Sequence, residues 1–178
     1  MDTFTAINER MVTMEFKDYS LPRVIIENII DMAMKAPSAK NRQPWKFAII
    51  RADKVTEFKN FIKEKDLDFD IDCNIMEDAA AIILIFNRYK KIDRDYNEIT
   101  EEMDLISIGS ALQNLVLAAE GFNLGSMVIG DFAKYEREIG KYLDIENSLV
   151  TGIIIGFAGE NCIKKENGNI EDMTIWFE

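Results

Sequence analysis

The sequence predicts one domain in which helices flank a β-sheet, and three observations carry that prediction. The chain has 178 residues, of which 48% are hydrophobic, so it is long enough to bury a core. Two continuous apolar runs, AAAIILIF (residues 79–86) and LVTGIIIGFAG (149–159), indicate buried strands. Helical patterns alternate with these runs along the chain, and this order favours a sheet covered by helices.

In the first half of the chain, the patterns predict three helices and one short strand. The first helix is short and covers residues 3–9. The second has Ser20 as its N-cap and Pro22 in its first turn, and it ends at Pro37. The strand is KFAII (residues 46–50), and the third helix covers about 55–65.

In the second half, the clearest helix covers about residues 104–121. One continuous apolar stripe runs along it, formed by Leu105, Ile108, Leu112, Leu115, Ala119 and Phe122. Its other faces are also apolar, so we expect a central buried helix. A further helix is predicted at about 132–142, and residues 87–103 indicate a solvated loop or short helix. The tail EDMTIWFE alternates apolar and polar residues, which predicts an edge strand or an arm.

The composition excludes several classes of function. The chain has no histidine, which argues against a zinc site and against Ser-His-Asp or Cys-His catalysis. Its 21 basic and 32 acidic residues disfavour binding to nucleic acid or to anionic membranes. The first ten residues, MDTFTAINER, have no apolar run, so we expect no secretory signal and a cytoplasmic protein. Enzyme chemistry, if present, would then come from a cofactor or from carboxylates.

The stretch APSAKNRQPWKFAII (residues 36–50) joins a helix to a strand through an unusually polar loop. Five hydrogen-bonding side chains occur within six residues, at Ser38 and at 40–43. One interpretation is a polar connection with Trp45 as a core anchor. The other is a ligand-binding loop. Glycine-rich nucleotide motifs are absent, because GSMVIGDF has Asp131 and Phe132 where a phosphate loop needs Lys and Ser or Thr.

Two blocks of sequence resemble the FMN-dependent nitroreductase family. The first is A-P-S-A-x-N-x-Q-P-W-x-F followed by a strand, and the second is GSALQNLVLAAEGFNLGSMVIG. The resemblance implies an α+β fold of three layers, with a mixed, mostly antiparallel central sheet flanked by helices. It also implies an intertwined homodimer of single domains covering residues 1–178. A C-terminal arm at about 168–178 is then expected to pack on the partner subunit.

The same resemblance implies a set of FMN-binding residues and neither a metal site nor a catalytic side chain. The set comprises Arg10, Pro37, Ser38, Asn41, Gln43, Asn74, Ile129, Gly130, Lys164 and Lys165. Pro37, Ser38 and Asn41 would contact the flavin bound mainly by the partner. Backbone amides at 129–130 would face its N5 and O4 edge. Two alternatives stay open: Gln43 bonds within its own turn, and Asn114 is a satisfied buried amide.

The phosphate end departs from the family pattern. Family members usually open with R-R-S-x-R ahead of a Phe, whereas this chain has RMVTMEF (residues 10–16). Met11, Val12 and Met14 replace two arginines and a serine, and each lost charged hydrogen bond costs about 1.5 kcal/mol or more. Arg10 with Lys164 and Lys165 would then hold the phosphate, with Asn74 at the phosphate or ribityl end. Tyr89 and Tyr96 could stack over a substrate.

By resemblance, the chain is an oxidoreductase that takes hydride from NADH or NADPH at flavin N5. The electrons would pass to a small acceptor such as a nitroaromatic, a quinone or a flavin. One alternative is a noncatalytic or weakly FMN-binding relative that acts as a small-ligand-binding dimer. Another keeps the flavin and changes the chemistry, for example to reductive dehalogenation or an oxidative step.

Overall fold

The computed structural model describes residues 2–90, 95–164 and 166–177. Helices lie on both faces of an antiparallel sheet. The helices are α1 (Thr3–Glu9), α2 (Arg23–Met34), α3 (Asp53–Glu64), α4 (Glu98–Gly121), α5 (Glu136–Leu143) and α6 (Ile170–Met173). The strands are β1 (Val12–Thr13), β2 (Phe16–Lys17), β3 (Trp45–Arg51), β4 (Ala81–Asn87), β5 (Gly125–Ile129), β6 (Ser148–Ala158) and β7 (Cys162–Ile163).

The central strand of the sheet is β6, which is bordered by β4 on one side and by β5 and β2 on the other. β3 pairs with the other edge of β4, so its own outer edge has no strand partner among the described residues. Every pairing between described strands is antiparallel, including the small separate sheet of β1 and β7. The predicted mostly antiparallel sheet is confirmed.

The two faces of the sheet bury different apolar clusters, because alternate residues of a strand point to opposite sides. Ile82, Leu84 and Phe86 face α3 and α5. Ala81 and Ile83 face α2 and α4. β4 is buried along its whole length, as its continuous apolar run predicted. The three-layer arrangement follows from this two-sided burial.

The predicted start of the second helix is wrong. α2 begins at Arg23 with Pro22 as its N-cap, and that cap makes no side-chain hydrogen bond. The preceding Leu21 is buried, and its carbonyl accepts a hydrogen bond of 3.1 Å from the Arg51 guanidinium. These contacts hold the chain extended before the helix, so Ser20 lies outside it.

α4 is longer than predicted and is not buried on all sides. It begins at Glu98, where the side chain of Asn97 accepts a hydrogen bond from the Thr100 amide. Its buried stripe is rotated from the predicted one and consists of Asp104, Ser107, Ile108, Ala111, Leu115, Val116 and Ala119. Ile99 and Ile106 are 70% and 64% exposed in the single chain. Among the described helices, none has the length and apolarity needed to cross a membrane.

The C-terminal tail forms α6 and then no strand up to residue 177. The predicted edge strand is therefore wrong within the single chain. The last apolar side chains are almost fully exposed, with Ile175 at 83%, Trp176 at 77% and Phe177 at 95%. The expected arm on a partner subunit stays a prediction.

Candidate functional site

The loop between α2 and β3 (residues 36–44, hereafter the polar loop) is folded by its own side chains. The Ser38 hydroxyl accepts a hydrogen bond of 3.0 Å from the Gln43 amide. The Gln43 side-chain amide donates to Asn41 Oδ1 at 3.2 Å. Gln43 thus bonds within its own turn, the structural alternative left open above. Pro37 and Asn41 are exposed and Ser38 is half-buried, so a ligand can reach the outside of the loop.

The polar loop is attached to α4 by contacts that the sequence did not reveal. Arg42 and Asp104 form a two-point ion pair, with Nε 3.0 Å from Oδ1 and a terminal nitrogen 3.3 Å from Oδ2. The amide of Ala39 donates to the Ser107 hydroxyl at 3.2 Å. Asp104 is fully buried. The sequence signal for this contact would have been an acidic residue on the buried side of α4. The predicted apolar stripe did not include Asp104, so that signal was missed.

The two tyrosines expected to face a substrate have partners within the chain. Tyr96 accepts a hydrogen bond of 2.7 Å from the Asn87 side chain and also bonds to Asp104. Burial and the nearby Asp104 charge raise the pKa of Tyr96 to about 12. The guanidinium of Arg42 lies 4.7 Å from the centre of the Tyr89 ring. Both rings therefore belong to the support of the polar loop.

The predicted phosphate end lies at the small β1–β7 sheet. Val12 pairs with Ile163, which brings Arg10 and the exposed Lys164 to the same end of these two strands. Val12 and Met14, which replace the polar family residues, pack against the core cluster that includes Phe16 and Met76. Lys165 lies outside the described residues. The phosphate end thus has two cations at one end of the β1–β7 pair, while Val12 and Met14 pack toward the core.

A third group of predicted residues lies around the turn after β5. The Ile129 side chain is buried, so only its backbone can face a ligand. Gly130 is exposed with open space beside its Cα. Asn74 is exposed, and its Oδ1 accepts a hydrogen bond of 2.9 Å from Lys63 Nζ, a cation that sequence reasoning missed.

The segment after Gly130 holds the chain that leads to Asn74. Asp131 accepts a hydrogen bond of 2.7 Å from the Asp70 amide. The Tyr135 hydroxyl donates to the Asp68 carbonyl at 2.7 Å. Two hydrogen bonds lower the pKa of Asp131: the one from Lys134 has the larger effect, and the one from the Asp70 amide is next. This carboxylate therefore stays ionised near neutral pH. These contacts place the Gly130 and Asn74 regions side by side.

The polar loop and the phosphate end lie far apart in one chain. The loop precedes Trp45, which pairs with Asn87 of β4. Asn87 in turn pairs with Ser148 at the start of β6. The phosphate end adjoins Ala158, the last residue of β6. Ten residues of strand span about 30 Å at the usual rise per residue. The two groups therefore lie near opposite ends of the central strand of the sheet.

Comparison with known proteins assigns the family. The family model described as the nitroreductase family matches residues 7–157. The chain belongs to the nitroreductase family. This nitroreductase-family chain is 27% identical over 122 residues to a protein of Archaeoglobus fulgidus provisionally named NADH dehydrogenase/NAD(P)H nitroreductase, a match covering 68% of this chain and 63% of that protein. A Methanothermobacter thermautotrophicus protein with the same name is 25% identical, with 90% and 80% of the two chains covered.

Solved structures agree on the fold. A provisionally named nitroreductase from Desulfovibrio desulfuricans, crystallised in complex with FMN, superposes with a TM-score of 0.81 at 23% identity. The superposition covers 100% of this chain and 99% of that one. At this identity the likeness establishes the fold of the nitroreductase-family chain. It covers both the polar loop and the β1–β7 sheet.

Proposed function

We propose that this chain is an FMN-dependent oxidoreductase that passes hydride from NADH or NADPH to a small electron acceptor. The polar loop carries the proposal: its family-matching residues are held in one conformation while Pro37 and Asn41 stay accessible. Family membership supports an oxidoreductase, and the Desulfovibrio neighbour supports FMN. Nitroaromatics, quinones and free flavins are the acceptor classes to test.

The residues present fit FMN. Arg10 and Lys164 supply cations for a phosphate, which binds best to charged hydrogen-bond donors. The open space at Gly130 lets a planar ring approach the backbone of the turn after β5. Bound FMN would supply the hydride chemistry at its N5 atom. The protein would bind and orient it, with Ser38 and Asn41 as polar contacts.

A homodimer is part of this proposal, because the polar loop and the phosphate end lie near opposite ends of β6, a strand about 30 Å long. A second copy would bring its own loop to the first copy's phosphate end. The exposed apolar residues of α4, Ile99 and Ile106 among them, offer a surface for that contact. We further propose that the arm (residues 168–178) packs on the partner, where the outer edge of β3 has no strand partner among the described residues.

One observation favours the noncatalytic alternative. Val12 and Met14 pack against apolar core residues instead of offering donors to a phosphate. A weaker phosphate site would leave a dimer that binds another small ligand or binds FMN loosely.

The visible absorbance spectrum of the purified protein, with FMN added back if needed, separates the two functions. The oxidoreductase proposal expects a flavin spectrum close to one FMN per chain, bleached anaerobically by NADH or NADPH. Acceptors are then compared by their rates of reoxidation. A colourless protein that leaves added FMN unperturbed contradicts the proposal and favours the noncatalytic dimer.

A further inference from the structure

We infer that Asp104 is a positioning residue that acts through Arg42 to hold the polar loop in its ligand-facing conformation. The inference rests on the proposed function, because that function makes the loop a flavin contact. Ser38 and Asn41 would contact the ligand, whereas the pair of Arg42 and Asp104 fixes the loop that carries them.

The conformation of the polar loop is costly on its own. Lys40, Asn41 and Gln43 have φ angles of 52°, 56° and 49°, in the left-handed region. Asparagine tolerates this region, whereas lysine and glutamine are disfavoured there by their Cβ atoms. Such residues persist where surrounding contacts over-determine the backbone, and they concentrate at functional sites. The chain must therefore supply contacts that hold the loop against this cost.

Asp104 and Ser107 supply those contacts from one face of α4, since residues three apart lie side by side on a helix. Asp104 binds Arg42, and Ser107 accepts from the Ala39 amide. The Ser107 hydroxyl donates its own proton to the Met103 carbonyl at 2.7 Å, which fixes its orientation. The two anchors bracket the left-handed residues 40 and 41.

Stability alone is a poor explanation for this pair. Asp104 is fully buried on a stripe that is apolar apart from Ser107, and the Arg42 side chain is 25% exposed. Burying a carboxylate carries a desolvation penalty that its partner often only just repays, so a well-packed apolar pair can serve stability as well. A planar guanidinium bound at two points fixes direction as well as distance. That directional restraint is what the polar loop requires.

Asp104 also connects the polar loop to the segment that follows β4. Its second partner, Tyr96, is held by Asn87, whose Oδ1 accepts from the amides of Tyr89 and Lys90 at 2.9 and 3.2 Å. The amide of Arg88 donates to the carbonyl of Pro44, the last residue of the loop, at 2.8 Å. One buried carboxylate thus holds two neighbouring segments.

The test compares Arg42→Gln, Arg42→Lys and Asp104→Asn with wild type, using Ile139→Ala as a control for lost stability. Ile139 is fully buried on α5, across the sheet from the polar loop, so its variant is destabilised without touching the loop. Three quantities are measured: thermal unfolding, the Kd for FMN by fluorescence quenching, and hydrogen exchange at the amides of Ala39, Asn41 and Gln43 in the protein without FMN.

Arg42→Gln and Asp104→Asn should raise the Kd for FMN by about tenfold or more, as expected for losing one charged hydrogen bond. They should also speed exchange at the three loop amides beyond the level of Ile139→Ala. Arg42→Lys keeps the charge but loses the two-point contact. Its Kd for FMN and its loop-amide exchange should lie between those of wild type and Arg42→Gln. A Kd and loop exchange in Arg42→Gln that match those of Ile139→Ala overturn the inference. Wild-type protein that takes up no FMN contradicts the proposed function, and loop exchange still decides whether the pair fixes the loop.

Discussion

Gly152 offers a way to disturb the turn after β5 from the neighbouring strand β6. It lies on β6, opposite Leu84 of β4 and Ile129 of β5. A Cβ placed on it would overlap the Phe132 ring and lie 2.8 Å from Leu84 Cδ2. Phe132 is fully buried two residues after Gly130, and its ring packs 5.2 Å from that of Phe69. Gly152→Ala must therefore push Phe132 and, with it, the turn.

The expected loss follows from two opposing contributions. Overpacking a tight core costs about 1–3 kcal/mol. Replacing Gly by Ala restricts the unfolded chain and returns about 0.4–1 kcal/mol. We expect Gly152→Ala to lower the free energy of unfolding by a net ~1–2 kcal/mol, which corresponds to a melting temperature about 2–8 °C lower for a domain of this size.

The assay is thermal unfolding by circular dichroism, followed by titration with FMN at a temperature where each variant is folded. Gly121→Ala is the matched control, because an added Cβ there meets open space at the end of α4. Gly152→Ala should be destabilised and bind FMN more weakly, while Gly121→Ala should bind FMN like wild type and be more stable by about 0.4–1 kcal/mol. A Gly152→Ala protein with unchanged melting temperature would refute the packing argument. Normal FMN affinity despite lost stability would refute the connection between Phe132 and the turn.

Three further outcomes are expected. Removing residues 170–178 should give a monomer without flavin by light scattering and absorbance, and a stable, flavin-loaded dimer would contradict the proposed arm. Lys164→Ala should weaken FMN roughly tenfold to a hundredfold, the worth of a charged hydrogen bond, and leave riboflavin binding unchanged; equal losses for both ligands would contradict a phosphate contact. The pKa of Tyr96 is raised from 10.0 to about 12, so the folded state holds this proton more tightly and its contribution to stability falls as pH rises through that range. In urea unfolding, the free energy of unfolding should fall less at alkaline pH in Tyr96→Phe than in wild type. The same pH dependence in both proteins would show that Tyr96 does not cause this fall.

The strands and the polar loop could be predicted because their signals are local. The run at residues 149–159 corresponds to Ser148–Ala158, and KFAII to Trp45–Arg51. Continuous apolar character identifies a strand buried on both faces without knowledge of its neighbours. The loop was recognised from the order of its own residues.

The support behind the loop could not be predicted in this way. Arg42 and Asp104 are 62 residues apart, and a carboxylate inside a helix pattern counts as solvent-facing until a partner is known. The helix has apolar residues on several sides, so its periodicity does not say which side faces the sheet. The predicted stripe therefore began at Leu105, which is 41% exposed in the structure.

The placement of the polar loop and the phosphate end near opposite ends of β6 has a genetic consequence in the proposed dimer. Each cofactor site would draw its two halves from different chains. A chain altered at Asp104 and a chain altered at Lys164 would each be defective as homodimers. Mixed dimers would contain one site in which both halves are native and one in which both are altered. Two alleles whose homodimers bind FMN weakly would then complement each other when expressed together.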